Sequence, residues 1–186
     1  GLSNSNIETA KKDGLFDTYA YISDTDATSY MVFYNLNRAA YANVNDATAA
    51  VSTKTVEEAE RTNAALNNQH FRTAISHALD REAWNATVRG EDVALYSLRN
   101  SYTPGTFVTL DEEVTIDIND TATTFAAGTY FGEIMQAQLT ADGSAIKVWD
   151  DTLMSGDGFD GWYNPEVAAS ELELAIAELK EEGVKI

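Results

Sequence analysis

The sequence predicts an α+β protein in which a small mixed sheet packs against several helices. Two apolar segments near the start, 15–23 and 29–38, have the composition of strands, and apolar residues recur at helical spacing within 55–90 and 165–182. A length of 186 residues suits one domain with a sizeable core, or one lobe of a larger protein. We therefore expect a single domain spanning 1–186.

The two apolar segments near the start are expected to form the sheet. The polar residues 1–14 are interpreted as a loop. In 15–23 apolar and polar residues alternate, as in a strand with one buried face. Residues 30–34 are apolar almost without a break, which predicts a strand covered on both faces. The small and polar segment 39–55 is expected to be a surface excursion.

Capping residues indicate where the helices begin and end. Thr55 is a candidate N-cap, and Asp80 can accept from the free N–H groups of a helix that begins just after it. Gly90 is a C-terminal stop, and Asn164 with Pro165 opens the last helix. The apolar stripes predicted to face the core are Phe71, Ala74, Ile75, Ala78 and Leu79, continued by Trp84 and Val88, and in the last helix Ala168, Leu172, Ala175, Ile176 and Leu179.

The middle of the chain carries weaker signals. Residues 92–100 fit either a short helix or an extended segment, and Pro104 with Gly105 predicts a turn. Residues 109–125 are acidic and alternate loosely, which indicates an insertion with weak strand character. Residues 129–140 have the apolar spacing of a helix.

The charge and the cysteine count exclude several classes of partner and site. Twelve Lys and Arg against 30 Asp and Glu give a net charge of −18. Such a surface repels phosphate backbones and anionic lipid, so we expect no binding to nucleic acid or to membrane surfaces. The absence of cysteine removes disulfides and thiolate chemistry. Because the sequence starts at Gly1 without a visible signal peptide, we expect a piece of a longer chain.

Two patterns that could suggest metal sites have simpler interpretations. His70 and His77 are seven residues apart, whereas helical metal pairs favour a spacing of four, so we interpret them as partly exposed helix residues. The acidic loop 150–160 lacks the spacing of an EF-hand, so its acids are interpreted as solvated loop residues. We therefore expect no metal and no cofactor.

No catalytic motif stands out. Paired carboxylates could serve an acid–base hydrolase, but 30 acidic residues always offer such pairs. Arg72 and Arg81 flank the helix corner and could reach a ligand carboxylate; we favour instead an ion pair between helices, with Asp80 as the candidate partner. The sequence therefore predicts a protein that is not an enzyme.

Four segments in order along the chain carry a family resemblance. They are the apolar strand running into "YNLNR" (34–38), "LNNQHFRTAISHALDREAW" (66–84), "LRNSYTPGTFV" (98–108) and "YNPEVAASELELAIAELKEEGV" (163–184). Together they resemble extracellular solute-binding proteins of peptide ABC transporters (family 5), and most closely the oligopeptide-binding lipoproteins of Gram-positive bacteria. Gly105 departs from the pattern, which has a second proline there, and 109–125 matches no part of it.

The resemblance implies a fold and a function. It implies an internal fragment of the C-terminal lobe of a periplasmic-binding-protein-like (type II) fold, from a protein lipid-anchored at the extracellular face of the cell membrane. The implied function is capture of extracellular oligopeptides, bound largely through their main chain, and delivery to a membrane permease. We expect a monomer. A cell-surface peptide receptor or adhesin-type module on the same fold is the alternative, and nutrient uptake is not separated from pheromone sensing.

The resemblance also divides the notable residues into two sets. The helix corner is lobe scaffold in the family, and its structural signature here is Phe71, Arg72, Asp80 and Arg81. The residues that could line the peptide cleft are Tyr34, Asn35, Arg99, Tyr102 and Phe107. Core packing is the alternative for the aromatic residues, and a surface ion pair is the alternative for Arg99.

Overall fold

The computed structural model describes residues 3–21, 23, 27–36 and 55–185. By their internal contacts the residues group into two compact units. The loop-rich unit comprises 1–30 and 80–163, and the helical unit comprises 31–79 and 164–186. The single domain predicted over 1–186 stays a prediction.

The described residues of the helical unit form three helices, and the first and last of these begin at the predicted caps. They are α3 (Val56–Asn67), α4 (Gln69–Ala78) and α7 (Pro165–Glu181). Thr55 and Glu58 form a reciprocal capping box at the start of α3, which satisfies two N–H groups that would otherwise lack partners. Asn164 caps α7 by accepting from the N–H of Val167 at 3.2 Å, and Pro165 occupies the first turn.

The core of the helical unit lies mainly between α4 and α7. Its buried side chains are mostly small, namely Ala59, Ala74, His77, Ala168, Ala175 and Leu179. His77 is 2% exposed, so the prediction that it is partly exposed is wrong. The predicted stripes are right for Ala74 and for three positions of α7. They are wrong for Ile75, Leu79 and Leu172, which are 39%, 47% and 41% exposed, and for Ala78, which is exposed as well. In α4 the buried face is centred on Ala74 and His77, one turn apart, which turns Ile75 and Leu79 away from it.

The strand predicted over 29–38 is wrong for residues 29–36, which form no strand; residues 37 and 38 lie outside the described part of the chain. Val32 and Phe33 are 78% and 80% exposed, so this segment is not covered on both faces. A strand requires the backbone of a neighbour, and no other described segment pairs with this one. The predicted excursion 39–55 lies outside the described residues except for Thr55.

The loop-rich unit begins with two helices, α1 (Asn4–Lys12) and α2 (Phe16–Tyr19). The loop predicted over 1–14 and the strand predicted over 15–23 are therefore wrong for the described residues. Ser3 caps α1 by accepting from the N–H of Asn6 at 3.3 Å. The α1 helix ends at Gly14, whose φ of +66° suits glycine.

The helix corner leads into α5 (Arg81–Arg89) and a 3₁₀ turn at Glu91–Val93. As predicted, Asp80 caps α5, accepting from the N–H of Ala83 at 2.8 Å, and Gly90 ends it with a φ of +94°. The predicted apolar face is wrong here, because Trp84 and Val88 are 61% and 57% exposed. Asn85 is buried instead, and its amide donates to the Ala94 carbonyl at 2.6 Å.

The sheet is a two-stranded antiparallel hairpin of β1 (Val114–Ile118) and β2 (Thr121–Phe125). Asn119 and Asp120 at its tip have positive φ, as residues of these types favour in tight hairpin turns. The weak strand character of 109–125 is therefore confirmed, while the sheet predicted at 15–23 and 29–38 is not found in their described residues. The helix α6 (Phe131–Ala141) packs against β1, and mixed α+β architecture is confirmed. No described helix has the length and apolarity needed to cross a membrane.

Candidate functional site

Asn100 connects several loops of the loop-rich unit. It is 2% exposed, and its amide donates to the carbonyls of Gly156 and Phe159 at 2.9 and 3.0 Å. Its side-chain oxygen accepts from Arg81 Nη2 at 2.6 Å and from the Gly161 N–H at 2.9 Å. Both donors and both acceptor positions of the amide are used, so Asn100 fixes the loop 156–161.

Arg81 joins the same network through Asp160. Its Nε donates to Asp160 Oδ1 at 3.0 Å, and its Nη1 donates to the Arg99 carbonyl at 2.9 Å. Burial raises the pKa of Asp160, but hydrogen bonds from Arg81 and from the N–H of Trp162 outweigh it and hold this pKa below its usual value. The predicted partner, Asp80, is therefore wrong, because Asp80 caps α5 and Asp160 takes the ion pair.

The other two signature residues lie in the helical unit. Arg72 Nη1 donates to the Leu66 carbonyl at 2.7 Å, which ties α4 to the last turn of α3. Phe71 is half-buried in the first turn of α4, and its N–H donates to Asn68 Oδ1 at 2.9 Å. These contacts fasten helix ends within the unit. A scaffold role for the four signature residues stays a prediction.

Arg99, in the segment 98–108, binds Thr28 and Ser29 near the start of the chain. Its Nη1 donates to the Thr28 carbonyl at 3.1 Å and to Ser29 Oγ at 2.6 Å. Its Nε lies 3.6 Å from Asp157 Oδ1, and both side chains are only 14% exposed. The ion pair is thus largely enclosed and does not lie on the open surface.

A pocket of about 240 Å³ is lined in part by Ser29, the residue that Arg99 holds. We call it the Tyr102 pocket, and its lining is Ala27, Ser29, Tyr102, Thr103, Pro104 and Phe107. Ser29 Oγ donates to the Tyr102 carbonyl at 2.9 Å, which closes one side of it. The residues Tyr102 and Phe107 are 74% and 48% exposed, so both can meet a molecule from solvent.

The turn beneath the pocket explains why glycine stands at position 105. As predicted, Pro104 and Gly105 form a turn, in which the Phe107 N–H donates to the Pro104 carbonyl at 3.0 Å. A Cβ on Gly105 would lie 3.2 Å from both Gly132 Cα and Trp149 Cε3. The departure from the family pattern therefore has a packing reason, since glycine lets the turn lie against α6.

The remaining two candidate residues belong to the helical unit. The Tyr34 hydroxyl lies 3.4 Å from Ser76 Oγ on α4, and the Asn35 side chain is exposed. Of the five predicted cleft residues, the structure brings together Tyr102 and Phe107, with Arg99 fixing the wall behind them. A role in peptide binding stays a prediction for all five.

The Tyr102 pocket is chemically neutral. Its polar side chains are hydroxyls, and the Ser29 hydroxyl is hydrogen-bonded to a guanidinium, which cannot take up a proton as a general base must. The arrangement therefore suits binding of an uncharged group.

The acidic loop 150–160 has structural partners for its carboxylates. Asp150 accepts from the N–H groups of Thr152 and Leu153 at 2.8 and 3.0 Å, and these bonds with the Thr152 hydroxyl hold its pKa low. Asp151 accepts from the indole N–H of Trp149 at 3.1 Å. Among the described residues, no three His, Asp or Glu side chains gather as a metal site would require.

A larger open groove of about 820 Å³ lies between the hairpin and α6. One of its polar lining residues, Gln136, accepts from the N–H groups of Val148 and Trp149 at 2.7 and 3.3 Å. The Gln136 side chain therefore holds the loop that follows α6. The groove was not predicted from the sequence, and the side chains of Asn119 and Gln136 in its lining are hydrogen-bonded to other parts of the protein.

Several residues of the site were missed by sequence reasoning. They are Ala27, Thr28, Ser29, Asn100, Asp157 and Asp160. Asn100 lies inside the family-like segment 98–108, and this membership is the sequence signal that could have pointed to it. The others act through partners about 60 to 80 residues away, and no local spacing reveals such pairs.

The sequence of this chain is similar to those of proteins that are named for oligopeptide binding. No family model matches the chain. The oligopeptide-binding protein SarA of Streptococcus gordonii is 33% identical over 181 residues, which cover 97% of this chain and 22% of the relative. The oligopeptide-binding protein AliA of Streptococcus pneumoniae is 30% identical over 184 residues, covering 98% of the chain and 23% of the relative.

The chain is homologous to one segment of these oligopeptide-binding proteins. The oligopeptide-binding protein AmiA of Streptococcus pneumoniae is also similar, with 32% identity over 134 residues, 72% of the chain and 17% of the relative. The predicted resemblance to oligopeptide-binding proteins of Gram-positive bacteria is therefore confirmed. The chain spans about a fifth of the length of the relatives it matches.

Proposed function

We propose that this chain is part of the substrate-binding component of an ABC transporter, which captures extracellular oligopeptides and delivers them to a membrane permease. The observation that carries the proposal is similarity along almost the whole chain to relatives that are named for oligopeptide binding. The relatives are binding proteins by name, and we propose that this protein likewise has no catalytic activity.

The proposed architecture is one lobe of a type II periplasmic-binding-protein-like fold, with this chain as a scaffold-rich part of the C-terminal lobe. The protein would act as a monomer at the extracellular face of the membrane, held by a lipid anchor. Closure of two lobes around a peptide would be the signal to the permease. Helix pairs such as α4 and α7 support this role, because rigid lobes transmit a hinge motion better than loose ones.

Within this architecture the Tyr102 pocket would contact the bound peptide. A peptide held in extended form through its main chain leaves its side chains to meet shallow, permissive pockets. The neutral lining and the exposed rings of Tyr102 and Phe107 suit that use. Arg99 would keep the pocket wall in place, and Tyr34 and Asn35 remain candidate contacts from the helical unit.

The test is uptake of labelled oligopeptides by cells that lack the gene, with and without its reintroduction. Loss of uptake that the gene restores supports the proposal. Unchanged uptake in the deletion strain, with peptide binding intact, would favour a cell-surface peptide receptor or adhesin-type module instead. Reintroduction of the Tyr102→Ala gene tests the pocket, and the Tyr96→Ala gene is the matched control, since Tyr96 is 55% exposed but does not line it.

A further inference from the structure

His70 lies between two carboxylates of a neighbouring helix in the helical unit. His70 Nδ1 is 2.6 Å from Glu171 Oε2, and His70 Nε2 is 3.5 Å from Glu178 Oε1. Glu171 and Glu178 are two turns apart on α7 and so share one face. Asn68 Nδ2 donates to Glu178 Oε2 at 2.7 Å, which fixes that carboxylate from a second side.

We propose that this arrangement, the His70 clamp, is a pH-sensitive tie between α4 and α7 that tightens when His70 is protonated. A neutral imidazole has one N–H and can donate to only one of the two carboxylates, whereas the imidazolium donates from both nitrogens. Protonation also adds charge attraction to both carboxylates. The clamp acts on the stability of the helical unit, so it does not depend on the proposed transport function.

The surroundings of His70 favour its charged form. The hydrogen bond with Glu171 raises the pKa of His70 and outweighs the opposing effect of partial burial, and the charges of Glu171 and Glu178 raise it further. Both carboxylates lie on α7. The charged residues of α3, which packs against α4 and α7, and Arg72 of α4 itself are not among the groups that shift this pKa.

The direction of the pH effect follows from the raised pKa. Stability from the clamp is fully present below the unfolded pKa of His70, near 6.5, and is lost as the pH rises through the higher folded value. The His70 side chain is 34% exposed, so solvent screens the pair. We expect a change in melting temperature of about 2 °C for a chain of this size.

Proton NMR titration of the histidine rings tests the clamp directly. The chain has two histidines, and the His70→Gln variant identifies which resonance belongs to His70. Glu171→Gln is expected to lower the pKa of His70 visibly. Glu173→Gln is the matched control, because Glu173 is exposed on another face of α7 and should leave that pKa unchanged. An unaltered His70 titration in Glu171→Gln overturns the proposal.

The melting temperature gives a second, independent readout. The difference between the wild-type chain and His70→Gln should be about 2 °C larger at pH 5.5 than at pH 8.5. A difference that does not vary with pH contradicts the clamp. If His70→Gln does not fold, the titration in Glu171→Gln still decides, with the resonances assigned by through-bond correlation.

Discussion

The two units of this chain achieve order in different ways. The described residues of the helical unit form three capped helices with a core of small side chains. The loop-rich unit relies instead on side chains that bond the backbone of distant loops. Their charges differ as well. The loop-rich unit has 20 acidic and 6 basic residues and the helical unit has 10 and 6, which gives net charges of −14 and −4. Caps depend on nearby residues, whereas bonds between distant loops do not. Local sequence signals therefore describe the helical unit better than the loop-rich unit.

The tryptophans and histidines of the chain allow the two units to be followed separately by spectroscopy. The tryptophans Trp84, Trp149 and Trp162 all belong to the loop-rich unit, so their fluorescence reports on that unit. Both histidines belong to the helical unit and report on it by NMR. Substitutions in the loop-rich unit can thus be followed by tryptophan fluorescence, and the histidine resonances report on the helical unit.

The largest effect is expected from Asn100→Ala. The change removes four hydrogen bonds at a buried site and leaves several backbone groups of loop 156–161 without a partner. We expect a loss of about 3 kcal/mol in the free energy of unfolding, measured by tryptophan fluorescence in urea. Asn6→Ala, at an exposed side chain of α1, is the control. Equal effects of the two substitutions would show that the loops do not depend on Asn100.

A somewhat smaller effect is expected from Gly132→Ala at the start of α6. A Cβ there would lie 2.4 Å from Trp149 Cε3 and 3.1 Å from Gly105 Cα, so the indole must move. The expected loss is about 2 kcal/mol, with a shift in tryptophan emission. Ala141→Ser, at an exposed position of the same helix, should change neither quantity. An unshifted emission spectrum in Gly132→Ala would contradict the packing described here.

The helical unit should respond more mildly when it loses a cap. Asn164→Ala removes the acceptor for the Val167 N–H and should cost about 1 kcal/mol, measured by circular dichroism at 222 nm in urea. Asn164→Ser keeps a capping oxygen and is expected to retain most of the stability. If both variants unfold at the same urea concentration, the side-chain cap is not what stabilises α7.

The smallest change over the neutral range is expected from the titration of Asp160. Its pKa is depressed, so the stability it contributes is present above its ordinary value of 3.8 and is lost as the pH falls through the lower folded value. Tryptophan fluorescence should therefore show no weakening between pH 7 and pH 5, followed by acid unfolding below the ordinary value. In Asp160→Asn that acid step should flatten. A step of the same size in the variant would assign it to another carboxylate.

The sequence predicted the elements that local signals determine. Thr55, Asp80 and Asn164 are caps whose partners lie three residues away, so the helices that they open could be predicted correctly. The strand errors at 15–23 and 29–38 have the opposite cause. Strand pairing depends on distant neighbours, and apolar composition alone does not say whether a neighbour is present.

The candidate site likewise could be predicted only where its residues are close together in the sequence. Tyr102 and Phe107 were predicted together because both lie in the family-like segment 98–108, and the structure gathers them in one pocket. The roles of Arg81 and Arg99 depend on Asp160 and Asp157, which are 79 and 58 positions away in the sequence. Nothing in the spacing of these residues marks them as partners, so only the fold could reveal them.

The central claim, that the protein binds oligopeptides, is tested most directly by native mass spectrometry of the protein purified from its own host. Spectra would be recorded as purified and after addition of a mixed pool of short peptides, for the wild type, Tyr102→Ala and the control Tyr96→Ala. We expect bound peptides of varied mass, and we expect that of the three proteins only Tyr102→Ala retains peptide more weakly. A folded protein that carries no peptide under either condition would contradict the claim.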